Sequence, residues 1–587
     1  MFYEPILVLL WEKQDKNIQK IFHSGDIIMK RRRFLGTSAA ATAAVPSLLL
    51  QGCAANKDYD LLVSGGEVFD GSGTAGIEAD VAVKDGRIVK IASNIPQNTA
   101  AEIIDAKGLA VAPGFIDVHT HTDHLLLINP NAESKIRQGV TTEIGGNCGS
   151  SLFPLSDADF EEQKRILKRE YDFDLDWNDL NGFFGKLEAG GIALNFGTLV
   201  GHGTIRNAVM GQVDRAPLAE ELAHMSRLVR EHITAGAFGM SSGLYYAPGS
   251  FAKQDEMVVL CRELATFDAV YASHMRDEGD YVLESIDEAI STAQATGVRL
   301  QISHLKAQYP RNYAKISGAL AKIEDAKNGG LNILADRYPY HASSTSLGSF
   351  FPRWAQTGSD EDFVNLLATK VRERELRDHI SNIEEKLQSW GNVVISSVVT
   401  EKNRHLEGKN ILGAAKEAGK PCYEFIRDLL IEEQNQVAMI NFSMSEDNLK
   451  RVLSHPLVVI GSDGNSLAPY GVLGKGKPHP RSYGTFVRVL GKYVREEGVL
   501  TLPQAIMKMT SMSAAQFGLD SRGLLKEGFH ADLAVFDPNT VIDRADWLNP
   551  HQYPAGMEYV VVNGRIVIEG GEHTGALPGR ILKHAAV

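Results

Sequence analysis

The chain has 587 residues, of which 44% are hydrophobic, and its formal net charge is −13. This length exceeds what one ordinary hydrophobic core needs, so we expect one large domain and a smaller one. Acidic and basic residues are interspersed without a long basic stripe, which argues against a nucleic-acid partner. The four cysteines are far apart in the chain and do not form the pattern of a disulfide framework.

Residues 1–52 are predicted to be an export signal. They combine a basic start, an alanine-rich apolar stretch and small residues before a cysteine, and the apolar stretch is too short to span a bilayer. Arg31 and Arg32 fit a twin-arginine pattern, and Met29 is the expected start of the protein. The following sequence LQGC resembles a bacterial lipobox and ends at Cys53, which is the predicted site of lipidation.

Lipidation of Cys53 makes residues 53–57 an anchored linker. We then expect export by the twin-arginine route and attachment to the bacterial cell envelope, in the periplasm or on the surface, with the lipid as the membrane contact. The alternative is an ordinary cleaved signal with a chance cysteine. Labelling with a fatty acid separates the two, because only a lipidated parent takes up label that a Cys53→Ser variant lacks.

Both ends of the remaining chain carry short apolar or alternating runs that Gly and Asp interrupt. This pattern occurs in residues 58–111 and again in residues 515–587, and it is typical of a small antiparallel sheet. We therefore predict a small β-sandwich that is built from both chain ends and brackets the domain between them.

Residues 112–514 contain eight apolar runs that alternate with helical patterns. Eight strands separated by helices predict an α/β fold, a (β/α)8 TIM barrel. The segment from about residue 341 to about residue 455, between the seventh and eighth strands, is too long for a connecting helix. It is predicted to be a small helical insertion that covers the barrel mouth.

Polar, reactive side chains end these runs, at the barrel face where active sites lie. His119 and His121 are two residues apart, so they share one face of the first strand and can reach one ion. Further candidate metal ligands end the second, fifth, sixth and eighth strands, namely Cys148, His274, His304 and Asp463. A thiolate with imidazoles selects zinc or a similar divalent ion over magnesium or calcium. The carboxylate among these ligands is also placed to act as a proton shuttle.

A family resemblance rests on several motifs in a constant order. GNCG, GHGTIR, SHMRDE, ISHLK, DRYPYHASST, SDG and HPRSYGTF resemble the motifs of D-aminoacylases, the N-acyl-D-amino-acid deacylases of the amidohydrolase superfamily. The resemblance implies one tight zinc site and a possible second, weaker metal position. The residues implied are Cys148, His274 and His304 for the tight site, and His119, His121 and Asp463 for the second position.

The resemblance also implies a reaction, the hydrolysis of N-acyl-D-amino acids to a carboxylic acid and a free D-amino acid. The expected nucleophile is a metal-bound hydroxide, because a bound zinc lowers the pKa of water to about 7. Asp463 is the expected general base and then general acid. A purely metal-holding role is the alternative for Asp463, and the preference for D over L rests on the resemblance alone.

Four residues are implied to bind the carboxylate of the small-molecule substrate, namely Lys306, Tyr338, Ser344 and Arg481. An arginine fork and a nearby ammonium suit a carboxylate. Strand alternation also allows Arg276 to face the site, and a structural ion pair with Asp277, Glu278 or another barrel residue is its alternative. His202 either shapes the site or is a hydrogen-bonded structural histidine.

Two other functions stay open at this point. Another amidohydrolase of the same superfamily would open cyclic amides or cleave dipeptides, and hydantoins would discriminate it from a deacylase. A non-catalytic metal-binding lipoprotein would take up metal without releasing amine from any amide. No pattern in the sequence indicates an oligomeric state.

Overall fold

The computed structural model describes residues 57–585. The predicted export signal, the lipobox and the predicted lipidation site at Cys53 lie outside this part of the chain. Within the described residues, no helix combines the length and the apolar character needed to cross a membrane.

The described chain begins with five short strands. They are β1 (Tyr59–Val68), β2 (Ile77–Lys84), β3 (Arg87–Ala92), β4 (Ala100–Asp105) and β5 (Ala110–Pro113). The register of β1 against β2 shifts between Val63 and Gly66, and Gly65 in this bulge has a φ of +75°. A glycine suits the bulge because it adopts this left-handed conformation without steric cost.

The next region alternates strands and helices. Its strands are β6 (Phe115–Asp117), β7 (Val140–Gly145), β8 (Asn195–Thr198), β9 (Val200–Gly201), β10 (Gly239–Gly243), β11 (Val270–His274), β12 (Arg299–Ile302) and β13 (Ile333–Arg337). Its helices are α1 (Leu125–Ile128), α2 (Glu133–Ile136), α3 (Asp157–Tyr171), α4 (Leu180–Gly190), α5 (His202–Met210), α6 (Ala219–Thr234), α7 (Gln254–Ala265), α8 (Val282–Thr296) and α9 (Ile316–Asn328). Strands of this region are buried on both faces, as expected for parallel strands that helices cover.

The segment expected to be a helical insertion also contains a sheet. Its strands β14 (Ser343–Ser346), β15 (Val393–Ser397) and β16 (Ala438–Asn441) pair antiparallel in the order β14-β16-β15. Its helices are α10 (Asp360–Thr369), α11 (Glu373–Leu387), α12 (Ile411–Glu417), α13 (Cys422–Glu432) and α14 (Glu446–Ser454). The sheet forms because Ile395 and Met439 pair across it and are buried in a hydrophobic cluster that the helices of this segment complete.

The chain then returns to the central region and ends in further strands. These elements are β17 (Val458–Ile460), α15 (Arg481–Arg488), a π-helical segment (Val489–Glu496), α16 (Leu502–Met509), α17 (Ser511–Phe517), β18 (Leu533–Phe536), β19 (Met557–Val562), β20 (Arg565–Glu569) and β21 (Glu572–His573). Both chain ends contribute to one nine-stranded sheet, whose order is β21-β20-β19-β18-β5-β1-β2-β3 with β4 paired to β1.

The strands of the central region form two parallel sheets. One has the order β6-β7-β8 and the other the order β17-β13-β12-β11-β10-β9. Only Leu199 separates β8 from β9, and a parallel bridge between Thr120 and Gly464 joins the chain just beyond β6 to the chain just beyond β17. The carboxyl ends of these strands therefore lie on one side of the fold, where the candidate ligands of the sequence analysis are found.

Candidate metal centre and active site

The six predicted metal ligands come from five strand ends. His119 and His121 lie just beyond β6, Cys148 beyond β7, His274 at the end of β11, His304 beyond β12 and Asp463 beyond β17. Parallel strands place their carboxyl ends at one edge, so these residues converge although the chain separates them by up to 344 positions, from His119 to Asp463.

Three of the six side chains stand on unusual backbone conformations. Cys148, His304 and Asp463 have φ values of 53°, 36° and 52°, in the left-handed region that non-glycine residues rarely adopt. Such strain costs roughly 1–3 kcal/mol per residue and persists where the surroundings hold it, most often at functional sites. The main-chain N–H of Asp463, for example, donates to the carbonyl of His119 at 2.7 Å.

The first group of donor atoms consists of Cys148, His274 and His304. The Sγ atom of Cys148 lies 3.4 Å from Nδ1 of His274 and 3.6 Å from Nε2 of His304. The two imidazole nitrogens are 2.9 Å apart. Three soft or borderline donors that point at one small volume match the ligand set of a zinc ion.

The second group consists of His119, His121 and Asp463, and it shares the same sulfur. Nε2 of His119 lies 3.2 Å from Sγ of Cys148 and 3.4 Å from Oδ1 of Asp463. Nε2 of His121 lies 3.0 Å from the same carboxylate oxygen. The structure thus brings all six predicted residues into two adjoining groups with the cysteine between them.

The electrostatics of the site favour the metal-binding forms of its thiol and its carboxyl group. Burial disfavours the thiolate, but the imidazoles of His119 and His274 outweigh it and hold the pKa of Cys148 well below its ordinary value. Burial also disfavours the carboxylate of Asp463, but Arg481, followed by His119, holds the pKa of Asp463 well below its ordinary value. The surroundings thus favour the thiolate of Cys148 and the carboxylate of Asp463, the forms in which these two residues bind a metal.

Two carboxylates orient the histidines, a role that the sequence patterns did not predict. Nδ1 of His119 lies 3.0 Å from Oδ1 of Asp336, and Nδ1 of His304 lies 2.8 Å from Oε1 of Glu278. Each contact turns the Nε2 atom of the ring toward Cys148. A carboxylate behind a ligating histidine is the usual arrangement at protein metal sites.

The metal-ligand cluster opens into a cavity of about 830 Å³. The four predicted substrate-binding residues, Lys306, Tyr338, Ser344 and Arg481, all line this cavity. Nη1 of Arg481 donates to Oδ2 of Asp463 at 2.6 Å, and its guanidinium carbon lies 5.0 Å from the centre of the Tyr338 ring. The ammonium of Lys306 contacts Glu278 and lies 2.8 Å from Nδ1 of His304. Two cations thus lie beside the donor groups.

Comparison with known proteins identifies the family of the chain. Residues 102–379 and 416–568 match the model of the Amidohydrolase family. A D-aminoacylase of Alcaligenes xylosoxydans xylosoxydans is 36% identical over 533 residues, which cover 90% of this chain and 99% of that protein. This chain belongs to the amidohydrolase family.

Two further relatives of this amidohydrolase show how far the similarity extends. The N-acyl-D-glutamate deacylase of Alcaligenes xylosoxydans xylosoxydans is 35% identical over 90% of this chain and 97% of its own. The crystal structure of N-acyl-D-glutamate deacylase from Bordetella bronchiseptica superposes with a TM-score of 0.76 at 32% identity, covering 89% of this chain and 99% of that one. That structure contains zinc and a phosphonate inhibitor that mimics the tetrahedral intermediate of the reaction.

The structure of the amidohydrolase also decides between alternatives that the sequence left open. Arg276 lines the cavity, and it also forms an ion pair with Glu288 at 2.8 Å and donates to two main-chain carbonyls, so the partner in its ion pair is neither Asp277 nor Glu278. His202 is buried, and its Nε2 lies 2.8 Å from Oε1 of Glu256, which makes it a hydrogen-bonded structural histidine.

Two tyrosines also contact the metal-ligand cluster, and no sequence motif predicted them. The ring centres of Tyr245 and Tyr246 lie 6.0 Å and 4.9 Å from that of His274. The hydroxyl of Tyr246 also lies 3.0 Å from that of Thr345, which belongs to β14 of the insertion. The available signal was their place just after β10, one of the strands whose ends face the site.

Proposed function

We propose that this amidohydrolase is a zinc-dependent deacylase that hydrolyses N-acyl-D-amino acids to a carboxylic acid and a free D-amino acid. The observation that carries the proposal is the Cys148 sulfur that two donor groups share, beside a cavity that also holds Lys306 and Arg481. The relatives named above act on N-acyl-D-amino acids, which supports the same substrate class here.

We infer that the two parallel sheets close into a (β/α)8 barrel. The single residue between β8 and β9 supports continuity on one side, and the bridge between Thr120 and Gly464 supports it on the other. The nine-stranded sheet of both chain ends would form the small β-sandwich beside this barrel. The barrel arrangement would place every donor atom at the face where such enzymes have their active sites.

The residues present fit zinc. Cys148, His274 and His304 would hold the tight ion, and His119, His121 and Asp463 would line the second position. The thiolate, the imidazoles and the carboxylates of Asp336 and Glu278 behind them form a donor set that zinc prefers. When bound, zinc supplies Lewis-acid chemistry, which polarises the amide carbonyl and lowers the pKa of water to about 7.

Asp463 is the residue that would move protons. Its Oδ2 accepts from Arg481, whereas its Oδ1 faces His119 and His121. One positioned carboxyl can take a proton from the attacking water and then deliver it to the leaving nitrogen. The ion pair with Arg481 keeps the carboxylate in the form that accepts this first proton.

Arg481 and Lys306 would bind the substrate carboxylate, with Tyr338 and Ser344 beside them. Arg481 is 6% exposed and Lys306 is 4% exposed, so a carboxylate between them would be almost fully shielded from water. Charge-assisted hydrogen bonds in such surroundings contribute more than those at a surface. A free carboxylate next to the scissile amide is therefore the expected recognition element.

Lys306→Ala is expected to raise KM for an N-acetyl-D-amino acid by about 10- to 100-fold, because a hydrogen bond to a charged group contributes roughly 1.5–3 kcal/mol. Steady-state kinetics with a free carboxylate and with the corresponding amide measure the effect, which should be confined to the free carboxylate. Lys386→Ala is the matched control, since Lys386 also lines the cavity but pairs with Asp280. An unchanged KM in the Lys306 variant would contradict its assignment.

The proposed function is tested by amine release from paired N-acetyl-D- and N-acetyl-L-amino acids. We expect the zinc-loaded protein to release amine from the D series and to lose this activity when a chelator removes the metal. Restoration by added zinc controls for irreversible damage. If neither series releases amine and the protein opens the ring of a hydantoin, the proposed deacylase function is wrong and the protein is an amidohydrolase that acts on cyclic amides.

A further inference from the structure

A buried lysine lies beneath the second donor group, and neither the sequence motifs nor the proposed reaction uses it. Lys135 belongs to the short helix α2, and none of its side chain is exposed. Its ammonium lies 2.7 Å from Oδ2 of Asp117 and 3.2 Å from Oε1 of Glu143, and both carboxylates are also fully buried. For one cation between two carboxylates in the interior, the desolvation penalty can exceed the Coulombic gain, so this cluster is not explained by stability alone.

The same ammonium reaches the turn that carries Asp463. Nζ of Lys135 donates to Oγ of Ser462 at 2.6 Å and lies 3.4 Å from the carbonyl oxygen of Gly464. The two residues flank Asp463 in the chain. Lys135 therefore contacts this turn on both sides of the predicted proton shuttle.

Asp117 extends the network to the strand that carries the histidines. Its Oδ1 accepts from the main-chain N–H of His119 at 3.3 Å and from the N–H of Ser462 at 2.9 Å. Its other oxygen, Oδ2, accepts from Lys135. The pair of Lys135 and Asp117 thus joins the end of β6 to the turn after β17, and those segments carry the whole second donor group.

We propose that Lys135 is a positioning residue that sets the distance between Asp463 and the histidine pair His119 and His121. The turn needs such a support because Asp463 adopts a left-handed conformation, with a φ of 52°. The inference rests on the proposed function for its effect on catalysis, whereas its effect on metal binding does not.

Within the described residues, the hydrogen bonds of Lys135 and Asp117 reach the segments of the second donor group and not His274 or His304, and the two groups meet at the sulfur of Cys148. The rings of His274 and His304 are held by Cys148, Glu278 and Tyr246 from other strand ends. A change at Lys135 should therefore act on Asp463 and on the second metal position, and leave the tight position in place.

The matched control is a second buried lysine. Lys508 in α16 is 2% exposed, and its Nζ donates to the carbonyl of Val458 at 2.7 Å and also contacts the carbonyl of His455. These contacts lie at the start of β17, at the end of the strand opposite to Asp463. Lys508→Met removes a buried ammonium that contacts carbonyl oxygens instead of carboxylates, and it leaves the turn of Asp463 untouched.

The experiment compares Lys135→Met and Lys508→Met with the parent protein. Three measurements are made on each: zinc titration of the metal-free protein, kcat and KM for an N-acetyl-D-amino acid, and thermal unfolding. We expect Lys135→Met to weaken the second zinc equivalent by about 10- to 100-fold, as losses of supporting residues do. We also expect kcat to fall by about 100-fold with KM within about threefold, because small misplacements of a catalytic group are costly. Lys508→Met should change only the unfolding temperature.

Two outcomes would overturn the proposal. One is a Lys135→Met protein with the zinc affinities and the kcat of the parent. The other is an equal loss of zinc affinity and kcat in both lysine variants, which would show general destabilisation. If Lys135→Met does not fold, the double variant Lys135→Met/Glu143→Gln removes one uncompensated charge and is tested in its place. A parent that releases no amine would count against the proposed function, and the zinc titration would still test Lys135 because it needs no turnover.

Discussion

Asp463→Asn is expected to lower kcat for N-acyl-D-amino-acid hydrolysis by about 10³-fold, within the range that a general acid and base contributes. The amide keeps the size and the hydrogen-bonding shape of the carboxyl group but cannot take up and release the proton. The first donor group does not include this residue, so the tight zinc should stay bound. Kinetics and zinc content measured on the same preparation separate the two effects.

The control for Asp463→Asn is another buried aspartate that pairs with an arginine. Asp532, the residue before β18, is 6% exposed and forms an ion pair with Arg522. Its carboxylate also accepts hydrogen bonds from Asn195 and Asn563, and none of these partners is a candidate metal ligand. Asp532→Asn should lower the unfolding temperature and leave kcat unchanged. If Asp463→Asn keeps its zinc and most of its turnover, Asp463 does not transfer protons and only helps to hold the metal.

Cys148→Ala is expected to have the second large effect, the loss of tightly bound zinc and of activity with it. The sulfur lies within 3.6 Å of donor atoms in both groups, so its removal breaks the two positions together. Zinc affinity should fall by at least about 100-fold. Loss of a residue that only supports a metal ligand already lowers affinity by up to about 100-fold, and Cys148 is itself a ligand. Zinc content after dialysis, determined by mass spectrometry, checks this result.

Cys261→Ala is the matched control for the cysteine. Cys261 is fully buried in α7 among apolar side chains, where burial raises the pKa of its thiol and makes it a small core residue. Its replacement should cost some stability and leave the zinc content at the parental value. A Cys148→Ala protein that still holds its zinc through dialysis would disprove the shared-sulfur arrangement.

The positions of the predicted ligands follow from local rules. His119 and His121 share a strand face because side chains alternate, and parallel strands bring their carboxyl ends to one side. The same rule could have identified Asp336, which lies near the end of β13 and orients His119. Glu278 offered no such signal, since it lies four residues beyond β11 in an irregular segment.

The insertion shows where local patterns did not suffice. The segment predicted to be helical does contain helices, such as α11, which is Glu373–Leu387. The short strands β14 to β16 escaped prediction because β15 and β16 are separated by 40 residues and neither has a stable form alone. Their pairing depends on the apolar cluster that the helices around them supply.

The sequence alone determined the alternation of strands and helices, the six residues able to bind a metal, and the resemblance that names a reaction. These conclusions depend on side-chain chemistry and on periodicities that act within a few residues. Only the tertiary structure decided that Cys148 lies between two donor groups, that Arg276 pairs with Glu288 and that Lys135 supports the turn of Asp463. Lys135 and Ser462 are 327 residues apart, and contacts over such separations form only when packing of the whole core brings strand ends together.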